Sequence, residues 1–206
     1  MTKIIGLTGS IATGKSFVSS IIKNELNYPL IDADKLAREV VEINKPAYLE
    51  IVENFGEKIL NEDKALNRKA LREIIFNDIE KRKLLNEITH KYIRQEFLKK
   101  VEIYKSQNKE IIFYDVPLLF EAKIENQFYK IVLVYTPQEV QIKRLMKRDK
   151  ISVKEAENTI NNQISIEDKK NKSDFIIDNT REKSENNNDV VKEQIIEIIK
   201  SIKEGE

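Results

Sequence analysis

The sequence predicts an α/β fold in which about five strands alternate with helices and form a parallel sheet. The first observation is the alternation itself, since short apolar runs recur between segments with helical spacing. The second is that the runs at 111–114 and 131–135 are almost continuously apolar, as expected for parallel strands covered on both faces. With 206 residues, the chain is long enough for one such domain with a helical insertion.

The strands follow from short apolar runs bounded by turn residues. The first run enters a turn-rich loop at 9–14, and the second ends at Asp32-Ala33-Asp34. Together with the helix between them, these two strands make most of a βαβ unit. The predicted strands are 3–8, 29–31, 110–114, 131–135 and 174–177.

Helical spacing fills the intervals between the strands. Few residues between 35 and 107 favour a strand, so this region is predicted to be a helical insertion, with a long last helix bent near His90. A polar loop is predicted at 185–188, before a closing amphipathic helix. Helices are predicted at 15–24, 79–107, 153–163 and 190–202, around 36–41, 48–55 and 71–76, and in the segment that follows 136–137.

Composition limits the classes of function. The formal net charge of +1 gives no reason to expect binding to nucleic acid. The absence of cysteine excludes disulfides, thiolate metal sites and a cysteine nucleophile. A single histidine excludes a histidine-rich metal site, and no apolar run approaches the ~20 residues that span a membrane. Because the sequence shows no signal-peptide pattern, we expect a cytoplasmic protein. We also expect a monomer or a small homo-oligomer.

The strongest motif is a phosphate-binding loop. Residues 9–16 read Gly-Ser-Ile-Ala-Thr-Gly-Lys-Ser and match G-x-x-x-x-G-K-[ST] between a predicted strand and a helix. Backbone N–H groups of such a loop hold phosphates, the lysine reaches the β- and γ-phosphates of ATP, and the hydroxyl binds Mg²⁺. A glycine turn that binds nothing would match by chance, but the flanking elements favour a site. The predicted ATP contacts are Gly9, Ala12, Thr13, Gly14, Lys15, Ser16 and Phe17.

Carboxylates at strand ends are candidates for the acceptor side and for the metal. A kinase that acts on a hydroxyl needs a carboxylate to orient it and accept its proton. Asp34 is assigned to that hydroxyl, and Asp32 to the substrate or to Mg²⁺ and its waters. One of the pair, with Asp34 the better candidate, could instead cap the helix that begins near Lys35. Asp115 could orient Mg²⁺ through water or simply end its strand before Val116-Pro117.

The P-loop alone leaves the reaction open. The guanine-reading Asn-Lys-x-Asp of a GTPase is missing, since Asn44-Lys45 is followed by Pro46-Ala47. No acidic pair of a motor ATPase follows the third strand. The layout predicts a nucleoside-monophosphate-kinase-like P-loop NTPase fold with a lid. The predicted parts are a nucleotide-binding core at 1–35, 109–136 and 172–206, a substrate-binding insertion at 36–108 and a lid at 137–171.

Several ordered motifs resemble the dephospho-CoA kinase family. The most specific is Asp115-Val-Pro-Leu-Leu-Phe-Glu121, supported by Asp32-Ala33-Asp34, by Ala37-Arg38-Glu39 and by Thr89-His90. Leu66-Asn67-Arg68, Gln163, Lys169 and the stretch from Ser173 to Asn179 also follow the family's order, so the resemblance covers nearly the whole chain.

The resemblance implies transfer of the γ-phosphate of ATP to the ribose 3′-hydroxyl of dephospho-CoA, with Mg²⁺. It assigns Asp34 as the base, Lys15 to the phosphates and Arg144 to the lid. Arg148, one turn further along the same helix face, is a second candidate and is assigned to ATP binding. Residue composition alone would make both arginines ordinary surface charges. Arg38 and His90 are substrate-binding candidates, although Arg38 could be a surface charge and His90 could pack between helices.

This sequence departs from the family's pattern at a few positions. Ala12 replaces a common glycine and should be tolerated unless its φ is positive. Phe17 replaces a usual hydroxyl residue, which predicts weaker nucleotide binding, and Lys91 replaces the proline that usually follows His90. Two alternatives stay open, namely a P-loop kinase for a nucleoside, nucleotide or shikimate-like alcohol, and a nucleotide-binding regulator without catalysis.

Overall fold

The computed structural model describes residues 2–181 and 185–205, with the main chain alone at 185–187. The chain divides into two compact units. The first comprises Met1–Leu30 and Asn108–Glu206, and the second comprises Ile31–Gln107. Residues 182–184 and 206, which belong to the predicted core segment 172–206, lie outside the described residues.

The sheet has five strands, β1 (Lys3–Thr8), β2 (Leu30–Asp32), β3 (Ile111–Asp115), β4 (Lys130–Tyr135) and β5 (Phe175–Asp178). Their order is β2-β3-β1-β4-β5, which places β1 at the centre. Strand β1 pairs in parallel with β3 and β4, and β4 pairs in parallel with β5. The predicted fold class is confirmed, and the strand ends lie within one residue of the predicted ones.

The described residues form nine α-helices. They are α1 (Lys15–Ser20), α2 (Ala33–Glu39), α3 (Pro46–Phe55), α4 (Arg68–Asn77), α5 (Ile79–Ser106), α6 (Gln138–Asp149), α7 (Val153–Asn161), α8 (Ile166–Asn171) and α9 (Glu185–Glu204). A π-helical segment, Ile21–Glu25, continues α1, and 3₁₀ turns lie at Glu57–Ile59 and Glu125–Gln127.

In the first unit, α1 and α9 pack against the sheet around one apolar core. A second, smaller cluster joins α6 to α7, with Leu145, Ala156 and Ile160 buried at its centre. Ile11 and Ala12 of the phosphate loop pack against this smaller cluster. The apolar faces of α6 and α7 thus support the loop from one side.

The second unit consists of α2 to α5, and each of these helices begins at a recognisable signal. Pro46 occupies the first turn of α3, where its missing N–H costs nothing. The side chain of Asn67 accepts from the N–H of Ala70 at the start of α4, and Asp78 accepts from two N–H groups of α5. The helices enclose a core of Val40, Ala47, Ile51, Phe55, Ile59, Leu71 and Ile88.

The last helix of the second unit, α5, is continuous over 28 residues, and a bend near His90 stays a prediction. Two other helical segments differ from what the sequence predicts. The polar loop predicted at 185–188 is the first turn of α9. Helix α8 was not predicted, since its six residues are too few to show a helical period. No helix in the described part of the chain is long and apolar enough to cross a membrane.

Candidate active site

The phosphate loop adopts its form because Gly14 is left-handed, with φ 87° and ψ 22°. A Cβ at this position would lie 2.1 Å from Nδ2 of Asn179, which is closer than any real contact. The same Nδ2 donates to the carbonyl of Thr13 over 2.8 Å, in a site where Asn179 is buried. Gly14 therefore supplies both the turn and the space that the Asn179 amide needs.

Arg144 lies at the same place. Its Nη1 donates to Oγ1 of Thr136 over 3.2 Å and to the carbonyl of Thr13 over 3.5 Å. Its Nη2 donates to three successive carbonyls, at 2.8 Å for Asn179, 3.3 Å for Thr180 and 2.9 Å for Arg181. The fork of the guanidinium group thus joins the phosphate loop to the chain after β5.

Lys15 and Asp115 form an ion pair between the start of α1 and the end of β3. The other carboxylate oxygen of Asp115 accepts from Oγ of Ser19 over 2.7 Å. Both charged side chains are mostly buried, with 15% and 7% of their surfaces exposed. Taking both charges out of water costs free energy, and apolar residues of similar size would often be as stable at this place. The structure nevertheless keeps two opposite charges beside the phosphate loop.

A phosphate loop of this kind works with Mg²⁺, and the donor atoms fit that ion. Ser16 is exposed at the start of α1, and Asp115 presents a carboxylate at the end of β3. Hydroxyl and carboxylate oxygens are the ligands that Mg²⁺ prefers, and it usually completes its shell with phosphates and water. Within the described residues, no group of three histidine, cysteine or acidic side chains could hold a metal by itself. Ser16 and Asp115 thus suit a magnesium ion whose remaining ligands are phosphates and water.

Two predicted contacts of the loop take an unexpected form. Ala12 has a φ of 63°, so the condition under which its replacement of glycine would be costly is met. The side chain of Phe17 packs against the apolar core of the first unit, and its N–H donates to the carbonyl of Gly14 over 2.9 Å. Thr13 is fully buried, and its hydroxyl donates to the carbonyl of Ser10 over 2.8 Å, a bond that closes the loop on itself.

Arg148 does not join Arg144. Its guanidinium group is exposed and donates twice to the neighbouring Asp149, over 2.7 Å and 2.8 Å. This hydrogen-bonded pairing raises the pKa of Arg148 and lowers the pKa of Asp149. In this structure Arg148 is a surface charge with a carboxylate partner, which was the simpler of the two interpretations of the sequence.

In the second unit, Asp32 at the end of β2 and Asp34 in the first turn of α2 have different surroundings. Oδ1 of Asp32 accepts from the N–H of Lys35 over 2.9 Å and caps α2, so the predicted cap residue, Asp34, was wrong. Asp34 lies in the first turn of α2 with an exposed side chain. Arg38 follows one turn later and is also exposed, so the two side chains share one face of the helix.

Arg38 is one of three arginines around a cavity of about 730 Å³ in the second unit. The other two are Arg68 and Arg72 on α4, and both are exposed. The apolar lining includes Ala37 of α2, Val41 between α2 and α3, Ile51 of α3, Leu71 and Ile75 of α4, and Leu85 of α5. Within residues 31–107, all of which are described, none of the three arginines forms an ion pair. Unpaired guanidinium groups beside an apolar pocket suit a ligand with an anionic end and a long, less polar arm.

His90 is exposed on α5 and does not line this cavity. Thr89, its neighbour, does line it. Lys91, which stands where the family has proline, pairs with Glu50 of α3 over 2.8 Å, and Tyr92 donates to the same oxygen over 2.6 Å. Lys91 thus ties α5 to α3.

Sequence reasoning missed the roles of Thr136, Asn179 and Ser19. Asn179 belongs to the family's last motif, but nothing in its position along the chain reveals a bond to Thr13. Ser19 stands four residues after Lys15, the spacing that places two side chains on one helix face, and this signal was available.

Comparison with known proteins agrees with these features. The model of the dephospho-CoA kinase family matches residues 3–185. A dephospho-CoA kinase of Listeria innocua is 48% identical over 179 residues, which are 87% of this chain and 89% of that protein. The structure of a dephospho-CoA kinase from Campylobacter jejuni has a TM-score of 0.71 and 35% identity, and the match covers 100% of this chain and 99% of that one.

More distant P-loop kinases share the fold alone. A shikimate kinase from Acinetobacter baumannii has a TM-score of 0.51 and 17% identity, over 98% of this chain and 96% of that one. Because a family model covers most of the sequence and relatives well above 30% identity span most of both chains, the chain belongs to the dephospho-CoA kinase family.

Proposed function

We propose that the chain transfers the γ-phosphoryl group of ATP to the ribose 3′-hydroxyl of dephospho-CoA and yields CoA and ADP, the last step of coenzyme A synthesis. Membership of the dephospho-CoA kinase family supports this reaction. The observation that carries the chemistry is the position of Asp34, which stays exposed in the first turn of α2 while Asp32 is used as the cap. A carboxylate that is not used as a helix cap can accept a proton from an alcohol.

The nucleotide end of this proposal lies in the first unit. The N–H groups of the phosphate loop and the N-terminus of α1 attract the phosphates. Lys15 would leave Asp115 for the β- and γ-phosphates, and the carboxylate would then be available to the waters around Mg²⁺. Ser16 and Asp115 would hold Mg²⁺, which when bound offsets the negative charge of the phosphates.

Arg144 would stabilise the charge that spreads over the transferred group. Its guanidinium group is already held at the phosphate loop by carbonyls of Thr13 and of 179–181. A donor that is positioned before the substrate arrives needs little reorganisation during the reaction. This arrangement supports Arg144, rather than Arg148, as the arginine of the reaction.

The acceptor end lies in the second unit. Asp34 would orient and deprotonate the ribose hydroxyl, and Arg38, one helical turn away on the same face, would meet the diphosphate of dephospho-CoA. The cavity bordered by the three arginines would hold the remainder of that diphosphate and the pantetheine arm, whose mixed polarity suits a lining of apolar and arginine side chains. His90, the other substrate-binding candidate, lies outside the lining of this cavity.

Incubation of the purified protein with Mg-ATP and dephospho-CoA tests the proposal, with ADP and CoA followed by mass-resolved chromatography. Adenosine, a nucleoside monophosphate and shikimate serve as competing acceptors. CoA formed in proportion to ADP, with no product from the competitors, is the expected result. ATP binding without CoA would reject the acceptor, and phosphorylation of a competitor instead would favour a different P-loop kinase.

A further inference from the structure

Three motif residues in the first unit have no role in the reaction described above. They are Glu121 after β3, Gln163 between α7 and α8, and Lys169 on α8. The structure connects all three to the phosphate loop by a short series of polar contacts. None of them carries an atom that the transfer of a phosphoryl group needs.

The contact nearest to the loop is made by Gln163. Its Oε1 accepts from the backbone N–H of Ile11 over 3.0 Å. Ile11 is the third residue of the phosphate loop, and its N–H is thereby taken by protein. On the other side of the loop, the carbonyl of Thr13 is held by Asn179 and Arg144. The loop is therefore fixed by polar contacts at two points, one on each side of Ala12.

The next residue along the chain provides the second contact. The N–H of Ile164 donates to Oε1 of Glu121 over 3.0 Å. The same oxygen lies 2.8 Å from Nζ of Lys169, whose side chain is completely buried, while 22% of the Glu121 side chain is exposed. Glu121 thus fixes the backbone of the residue that follows Gln163, and Lys169 balances the charge of Glu121.

A buried lysine and its partner are poor evidence for stabilisation, because apolar residues of similar size would often serve as well. An apolar pair, however, would offer no oxygen to the N–H of Ile164. We propose that Glu121, Lys169 and Gln163 are positioning residues which set the phosphate loop for ATP through the Ile11 N–H. Lys169 acts through Glu121, Glu121 acts through residue 164, and Gln163 makes the contact with the loop.

The proposal rests only on the nucleotide-binding half of the proposed function. Its test is therefore the affinity for a non-hydrolysable ATP analogue with Mg²⁺, measured by calorimetry without any acceptor. A failure of the dephospho-CoA assignment would leave this measurement unchanged, and the wild-type protein shows whether nucleotide binds at all.

Gln163→Met keeps the length and volume of the side chain but removes the acceptor oxygen. We expect about fivefold weaker binding of the analogue, the effect of one net hydrogen bond. Gln127→Met makes the same change at an exposed position of the same unit and should bind as the wild type does. Wild-type affinity in a folded Gln163→Met protein would overturn the proposal.

Two matched double variants test the buried pair. E121Q/K169M and E121M/K169M both remove the buried charges, but only the first keeps an oxygen for the N–H of Ile164. We expect the first to bind within about twofold of the wild type and the second to lose about as much affinity as Gln163→Met. Equal affinities in the two variants would show that the oxygen does not matter and would overturn the role of Glu121. If either double variant fails to fold, Gln163→Met alone decides.

Discussion

The ammonium group of Lys15, at the start of α1, lies against the carboxylate of Asp115, at the end of β3. Strand β3 pairs in parallel with β1, the strand that leads into the phosphate loop. The lysine that a phosphate loop directs at a nucleotide is thus held by protein. Ser19 donates to the other oxygen of the carboxylate over 2.7 Å, so Asp115 is fixed from both sides. Asp115 therefore holds the lysine, and Ser19 holds Asp115.

Asp115→Asn should lower turnover on the order of 10- to 100-fold, because a hydrogen bond to a charged group contributes more than a neutral one. The loss should grow at low Mg²⁺ if the carboxylate also serves the metal. The measurement is kcat at several Mg²⁺ concentrations. Ser19→Ala, which removes one hydrogen bond but keeps the charge, should lose less, and equal losses would contradict a special role for the charge of Asp115.

Asp34→Asn should keep the affinity for ATP and lower turnover on the order of 10²–10⁴-fold, because an amide cannot accept the proton of the acceptor hydroxyl. The measurement is kcat for dephospho-CoA together with calorimetric binding of ATP. Near-wild-type turnover would remove Asp34 as the base.

The neighbouring carboxylate offers a matched control. Asn caps a helix about as well as Asp, so Asp32→Asn should leave α2 capped through Lys35 and should lower turnover far less than Asp34→Asn. If the two variants lost turnover equally, the base would not be assigned to either residue by this comparison.

Ala12→Gly should stabilise the protein. Ala12 has a φ of 63°, and a left-handed conformation costs an L-residue about 1–2 kcal/mol, which glycine would avoid. Glycine loses more conformational entropy on folding, and this offsets ~0.5–1 kcal/mol of the gain. The net gain of about 1 kcal/mol corresponds to a rise in Tm of roughly 2–4 °C for a chain of this size. Ala156→Gly, in the buried face of α7, should lower Tm instead, and equal shifts would contradict the strain at Ala12.

Most of the fold follows from the sequence because it depends on local patterns. Parallel strands such as 131–135 are recognisable from apolar runs, and the phosphate loop from its glycines and lysine. The positive φ of Ala12 is different, because a left-handed alanine carries no sequence signal apart from the motif around it. Helix α8 is also invisible, since Ile166–Asn171 is held by its cap at Ser165 and by the buried Lys169 rather than by a periodic apolar face.

The residues of the site were predictable where they belong to a sequence motif. Their partners were not predictable where tertiary contacts determine them. Lys15 and Asp115 were predicted separately, but their pairing depends on the register of β1 with β3. Local sequence could not decide between Asp32 and Asp34 as the cap, because both are aspartates, which cap helices equally well, and the choice depends on the residue at which α2 begins. Arg144 and Arg148 are one turn apart on α6, and only their partners, backbone carbonyls in one case and Asp149 in the other, separate them.

The contact between α3 and α5 should depend on pH. Hydrogen bonds from Lys91 and Tyr92 lower the pKa of Glu50 below its ordinary value of 4.5. A carboxylate whose pKa is lowered by folding stabilises the protein above the unfolded value and loses that contribution as pH falls through the folded value. Glu50→Gln should therefore be less stable than the wild type at pH 7, and the difference should shrink below about pH 4.5.

Urea unfolding of both proteins between pH 3 and pH 7 measures this difference. Glu87→Gln provides a control, because Glu87 is an exposed carboxylate on α5, the helix that carries Lys91 and Tyr92, and has no ion pair among the described residues. A Glu50→Gln deficit that stayed constant down to pH 3 would mean that the interaction does not require the charged carboxylate.

Arg144→Lys should lower kcat by roughly 100-fold, the usual loss when one positioned donor of an active site is removed. Lysine keeps the positive charge, but its single ammonium group cannot reach the carbonyls of Thr13 and of 179–181 together. Because Arg148 is paired with Asp149, Arg148→Ala should lower kcat clearly less. Lys147→Ala, a change at an exposed position of the same helix, is the control. Steady-state kinetics with both substrates varied checks this, and a larger loss for Arg148→Ala than for Arg144→Lys would exchange the two roles.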